Sequence, residues 1–409
     1  MPPSEAKRRV SKRMPALAAV PLLGAIVAAG PAAAECSSRT FYVDQLRGGD
    51  RGLYVDGRQF DYRPGDRFVL RAAASPYSYL ALQYVAGTAE CPVTIVNEGG
   101  VARMTSGIDV ADSRHVHVTG AGSADAYGID VGDPGRGGVG VHVHGRSDHV
   151  EIDHVYVHDK TYGFWVKHEA DCDPAYQYPN WVIDAIDIHD NRIENMGQEG
   201  MYLGSTDPNG TRPVTCGGVT ITPRPLRLGN IRVSGNRVDR TNRSGIQLSG
   251  ADHGHNEIDH NHVTNAGYEL NDQQGNGIVL GGYTHAEVHH NTIDNTFTLG
   301  IFTLGSGYTS IHDNAISRSG LLSDPPVPGI DGILVDTRRT EPVERTLVDI
   351  RDNRISDVTG YGVRFYKTFD TYDRPNVVCG NDLDVSVAAG IEWIDACDIL
   401  LRDGYDYLR

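Results

Sequence analysis

Two short patterns of apolar and polar positions alternate along most of this chain. One is a glycine followed by apolar, variable, apolar. Gly163-Phe164-Trp165-Val166 and Gly200-Met201-Tyr202-Leu203 are two copies, and others start at Gly107, Gly128, Gly140, Gly245, Gly277, Gly300, Gly332, Gly362 and Gly390. The other is apolar-x-x-Asn-x-apolar, centred on Asn191, Asn236, Asn261, Asn291, Asn314, Asn353 and Asn381. Both have the period of two that turns alternate side chains to opposite faces of a strand. Helical periodicity is nearly absent. The shortest steps, Gly277 to Gly300 and Asn291 to Asn314, are 23 residues. A period in the twenties with two or three strands per repeat predicts a solenoid. Asparagine at each corner tolerates a left-handed backbone, and stacked copies can bond their amides to one another.

If the glycine strands stack in register, Phe164, Val166, Met201 and Leu203 face inward. The outward positions then form columns. The first runs His142, Trp165, Tyr202, Gln247, Val279, Phe302, Leu334, Arg364, Glu392, and the next runs His144, Lys167, Gly204, Ser249, Gly281. Ahead of the glycines lie Tyr162, Glu199, Ser244, Asn276 and, after Leu299, Asp331. The long steps from Gly163 to Gly200 and from Gly200 to Gly245 mark inserted loops, one with Asp171-Cys172-Asp173-Pro174 and one from Asp207 to Leu228. Loops braced on a rigid scaffold are common places for binding and catalysis.

The flanks read differently. Lys7, Arg8, Arg9, Lys12 and Arg13, an apolar run from Pro15 to Gly30 and the small residues Ala32 to Ala34 predict a signal peptide over residues 1–34. Residues 35–100 read as an N-terminal β cap, residues 101–395 as the solenoid and residues 396–409 as a C-terminal cap. Six cysteines lie beyond the signal, and an even number in an exported chain predicts disulfides. Order along the chain favours Cys36–Cys91, Cys172–Cys216 and Cys379–Cys397 among the fifteen possible pairings. A formal net charge of -16 argues against a nucleic-acid partner, because phosphate binding needs a basic stripe. No partner membrane is expected once the signal is removed.

The Asn ladder with its Gly-Ile-x-Leu strands resembles the right-handed parallel β-helix proteins of the pectate-lyase-like superfamily, over roughly residues 40–395. The resemblance implies an all-β solenoid and an exported protein acting on polysaccharide. That superfamily is dominated by lyases, glycoside hydrolases and uronate epimerases. The polygalacturonase signatures and the Asp-Pro-His-Asp box of mannuronan epimerases are absent, since Asp133-Pro134 continues with Gly135-Arg136.

Catalysis on a glycan needs a proton donor and an acceptor with shifted pKa values. Glu199 is the expected acid or base, with Lys167, His168, Glu169 and Tyr202 as its catalytic company. Lysine beside carboxylates points first to a lyase that neutralises a uronate carboxylate and eliminates across the ring. Paired carboxylates would instead serve a glycoside hydrolase, and a non-catalytic glycan-binding solenoid is the third reading. Trp165, His142, His144, Gln247, Asp331 and Arg364 are the expected substrate contacts, because aromatic faces and outward polar groups suit sugar rings. The repeated Gly-Ile-Asp-Val copies place Asp109, Asp130 and Asp133 as an oxygen-rich candidate for calcium. The many strand histidines, His115, His117, His142, His144, His149, His154 and His158, read first as a stacked or solvated ladder, with a metal site as the lesser alternative.

Overall fold

The computed structural model describes residues 36–47, 51–132, 134–135, 137–210, 212–305, 307–336, 346–366 and 377–383. The expected signal peptide, Asp133, Glu392, Cys397 and the C-terminal cap lie outside the described residues.

One coil shows how the rest are made. Val182–His189 forms a strand of the first sheet, the chain turns at Asn191, and Arg192–Met196 forms a strand of the second. It turns again at Gly200, and Met201–Gly204 forms a strand of the third. Strands of the first sheet run parallel through 12 successive members with one side branch. The second and third sheets are joined at the long strand Ala102–Ala111, whose first half pairs with Ile129–Gly132 and whose second half pairs with Val139–His144. Inward apolar side chains from all three sheets build one continuous core, in which Phe164, Val166, Met201, Leu203, Ile246 and Leu248 are buried.

Asparagine corners tie the coils together. Oδ1 of Asn236 accepts from the backbone N–H of Asn191 at 3.0 Å, and Oδ1 of Asn261 accepts from that of Asn236 at 3.0 Å. The relay continues through Asn291, Asn314, Asn353 and Asn381. Each amide also donates to a carbonyl of an adjacent coil, as Asn236 Nδ2 does to Ile188 at 2.8 Å. The left-handed residue at these corners is not the ladder asparagine but its predecessor: Asp190, Gly235, His260, His290, Asp313, Asp352 and Gly380 all have φ between 52° and 67°. Asparagine is therefore present for its two-sided amide. Glycine ahead of the third sheet answers a steric need, since a Cβ at Gly200 would lie 2.6 Å from the carbonyl oxygen of Gly245.

The outward column of the third sheet holds through both long insertions. Trp165 pairs with His142 and Tyr202, Tyr202 with Gln247, and the series continues through Val279, Phe302, Leu334 and Arg364. The N-terminal region differs from a separate cap. Thr40–Tyr42, Arg67–Arg71 and Val93–Glu98 already stack as first-sheet strands, and Leu53–Asp56 stacks on Tyr77–Gln83 in the third. Gly52-Leu53-Tyr54-Val55 carries the glycine mark, but these coils have no copy of the asparagine corner, so their repeat is only half written in the sequence. The short helix Val43–Leu46, with Val43 buried, follows the first of these strands. Cys36–Cys91 and Cys172–Cys216 are bonded as their order implies, and Cys379 is disulfide-bonded too.

Removing one ladder amide strands buried partners on both sides. Asn236→Ala leaves Asn191 Nδ2, Asn261 Oδ1 and the Ile188 carbonyl short of a bond. A loss of roughly 2–4 kcal/mol in unfolding free energy is expected, read from the urea midpoint.

Candidate active site

On the outer face of the third sheet, Trp165 and Tyr202 sit on neighbouring rungs and stack at 4.8 Å, 17° from parallel. Tyr162 meets Trp165 edge-on at 4.2 Å. Lys167, two residues beyond Trp165, lays its ammonium 5.5 Å from the Trp165 ring centre and 5.0 Å from that of Tyr202. Its charge is met by Glu169 at 2.5 Å. Lys167 is only 8 % exposed, so its outward position is covered, and the cation is held by ring faces and a carboxylate. Trp165, Lys167, Glu169 and Tyr202 are thus brought together.

Glu199 lies beside this cluster but not in the groove. It is 1 % exposed, in the turn ahead of the strand, with Arg243 Nη1 3.9 Å from its Oε1. Its Oε2 is buried without a partner. Burial pushes this carboxyl above the usual range, against the pull of Arg243 and Lys167. His168 stacks on Tyr176 at 4.7 Å, and burial lowers its imidazole pKa with help from His144.

Beyond Tyr202 the column opens into a cavity of about 860 Å³. Gln247, Val279, Phe302 and Leu334 form its floor, and Ser244 and Asn276 lie at the edge where the glycine strands begin. Asp272 comes from the loop on that leading edge; Asp207, Asn209 and Asp336 lie at the trailing edge, where the strands end. The Tyr202 hydroxyl reaches Thr206 on the rim at 3.2 Å. Gln247 is 4 % exposed and its Nε2 has no partner, which leaves a buried amide donor at the cavity floor. The columns name Gln247, Ser244 and Asn276, and Asp336 falls at the repeat position of Lys167, whereas Asp207 and Asp272 carry no distinguishing signal in the sequence.

Two expected groupings do not form. Asp331 and Arg364 bond each other, with Arg364 Nε donating to Asp331 Oδ2 at 2.6 Å, and Asp331 also accepts from the Tyr361 backbone at 2.9 Å. Both are spent on holding the turn, and Asp331 is fully buried. The oxygen-rich calcium set is split. Asp130 pairs with Arg103 in the second sheet, and Arg103 and Asp109 are six residues apart on one extended strand, roughly 20 Å. Asp130 bonds His158 at 2.9 Å, while Asp109 faces His142 and His144 in the third sheet. Groups able to hold a metal ion among the described residues are Asp109 with His142 and His144, His115 with Asp148 and His149, and His117 with Glu151 and Asp153.

Three parallel stacks, an amide ladder and a groove along one outer face make this a right-handed parallel β-helix protein. Residues 227–403 match the family model described as a right handed beta helix region. No curated protein matches the chain by sequence. Among solved structures it is similar to the GH136 lacto-N-biosidase from Eubacterium ramulus, at 13 % identity and a TM-score of 0.52 over 84 % of this chain and 67 % of that one. An alginate lyase from Paenibacillus sp. str. FPU-7 shares 15 % identity with a TM-score of 0.43, over 84 % and 95 % of the two chains. A GH87 alpha-1,3-glucanase from Streptomyces thermodiastaticus strain HF3-3 shares 13 % with a TM-score of 0.36, over 87 % and 69 %. At 13 % identity the likeness to the lacto-N-biosidase shows the fold alone.

Because the folded chain holds the Glu199 proton more tightly than the unfolded chain, stability from this group is present below the ordinary carboxyl value of 4.5. It is lost as pH rises through the higher folded value. Glu199→Gln cannot ionise and is expected to flatten that loss, seen as a smaller drop in urea midpoint from about pH 4 to about pH 7. An unchanged slope would show that another group sets it.

Proposed function

We propose that this protein is an exported enzyme that binds a polysaccharide along the third-sheet groove and hydrolyses a glycosidic bond in the cavity. The carrying observation is the cavity wall: Asp207, Asp272 and Asp336 are present, and no Lys, Arg or His is among the described lining residues. The described lining presents no cation of its own to a uronate carboxylate, and elimination needs one there to stabilise the charge that develops. Lys167, the residue suited to that task, is already paired with Glu169 and covered. Hydrolysis instead uses carboxylates on two sides of the scissile bond, one protonated and one ionised. Asp272 on one edge and Asp207 or Asp336 on the other supply such sides. Phe302 and Tyr283 offer ring faces, and Gln247 offers its amide to a hydroxyl. The Trp165–Tyr202 stack continues the platform for the next sugar. The similarity to a lacto-N-biosidase is in keeping with this reading.

The elimination reading keeps one observation in its favour, the Lys167–Tyr202 contact at the cavity's end. The two separate on products. Incubation with a panel of neutral and uronic-acid glycans is expected to release reducing ends without the ultraviolet absorbance of an unsaturated sugar. Absorbing products would instead establish elimination, and binding without product would leave a glycan-binding solenoid. Asp272→Asn or Asp336→Asn is expected to lower kcat by roughly 100-fold or more with the fold intact by circular dichroism. Gln247→Leu is expected to raise KM about tenfold. Glu199→Gln, sealed from the groove, should keep most of the activity.

A further inference from the structure

We infer that Asp109, His142 and His144 form a binding site for a divalent transition metal of the zinc class, at the N-terminal end of the third-sheet groove. Asp109 and His142 face each other on neighbouring rungs. His144 stands two residues on, opposite the small Ala111, and its ring folds back towards the same carboxylate. The two imidazoles stack at 4.1 Å, 8° from parallel, and both aim a ring nitrogen at one oxygen. His142 Nδ1 lies 3.0 Å from Asp109 Oδ1, and His144 Nε2 lies 3.2 Å from that oxygen and within hydrogen-bond reach of Oδ2 at 3.3 Å.

Those separations match a coordination shell. Zinc bound at about 2.0–2.1 Å to nitrogen and oxygen in tetrahedral geometry sets its ligand atoms about 3.3 Å apart. The side chains thus need little movement to surround an ion. Two nitrogens and one carboxylate favour zinc, cobalt, nickel or copper over calcium, which takes six to eight oxygens. Three protein ligands leave a position open, and all three side chains are partly exposed, at 39 %, 30 % and 27 %, so water or a sugar oxygen has access to it. Trp165 is the next rung after His142, which puts the ion in line with the sugar platform.

The two other groups fit less well. In the His117 group the His117–Asp153 contact is 2.5 Å, a hydrogen bond too short to be an edge of a metal shell, and only one nitrogen donor is present. In the His115 group one carboxylate and its neighbour His149 are consecutive residues already bonded at 2.8 Å, on the first sheet away from the groove.

Binding is read without turnover, so the inference stands or falls apart from the hydrolytic reading. Tag-free protein stripped with chelator is titrated with Co(II), followed by visible absorbance, and with Zn(II) in competition. One cobalt per chain with the intense absorbance of a four- or five-coordinate site is expected, displaced by Zn(II) and not by millimolar Ca(II). His142→Gln, His144→Gln and Asp109→Asn should each weaken binding tenfold or more while circular dichroism and melting of the metal-free proteins stay close to wild type. His149→Gln and His117→Gln should leave it unchanged. Absence of a cobalt signal and of zinc binding, or binding that survives the first three variants or is lost in the last two, would overturn the site.

Discussion

Hydrogen bonding between consecutive coils, locked at one corner by the asparagine amides, is the constraint on which everything else in this protein depends. A buried amide is costly unless both its ends are satisfied. Each ladder asparagine is satisfied only when the coils before and after it sit at one height. Asn191, Asn236 and Asn261 belong to coils whose loops differ greatly in length, yet the same 3.0 Å contact recurs between them. The strands that follow inherit that height. Trp165 therefore meets Tyr202, and Tyr202 meets Gln247, although the chain between them contains both long insertions.

The outer face of the first sheet solves a second problem, the strongly acidic composition. Glu257 and Glu287 stand on adjacent rungs, where two carboxylates would repel. His289 bonds Glu257 and His312 bonds Glu287, both at 2.8 Å, from the neighbouring column. His189 does the same for Glu151 at 3.2 Å. Most histidines of this chain are accounted for by such pairing, which is the stacked ladder their alternate spacing implies. The pair on Asp109 departs from it, since two rings there share a single carboxylate oxygen.

What could be seen in the sequence was whatever a local rule writes. Period-two alternation and the recurring Gly and Asn are local, so the solenoid, the inward set around Phe164 and Met201 and the outward column from His142 to Arg364 were legible. Burial of a turn residue is not local. Glu199 looks available in the sequence but is enclosed by neighbours, Arg243 among them, from the next coil. Lys167 and Asp331 were likewise placed correctly in the stack while their partners, Glu169 and Arg364, decide whether they are free. Much of the cavity wall comes from loops with no repeat, so Asp207 and Asp272 had nothing to mark them, whereas Asp336 ends the strand Ile333–Asp336 at the repeat position that Lys167 occupies in its own coil. In the first coils Gly52-Leu53-Tyr54-Val55 bears the glycine mark, but with no asparagine corner beside it the membership of these coils in the stack was not apparent.

The bridge between Cys172 and Cys216 connects two segments that leave the groove's trailing edge on successive turns of the spiral and return to the first sheet. Lengthening such a segment costs little, because closure entropy grows only with the logarithm of its length. The floor beneath is set by amides and backbone far from these excursions. Rim and floor are therefore separable in descent: a lineage can exchange or extend the segments at the groove's edge, pin them with a covalent cross-link, and leave the platform beneath unaltered.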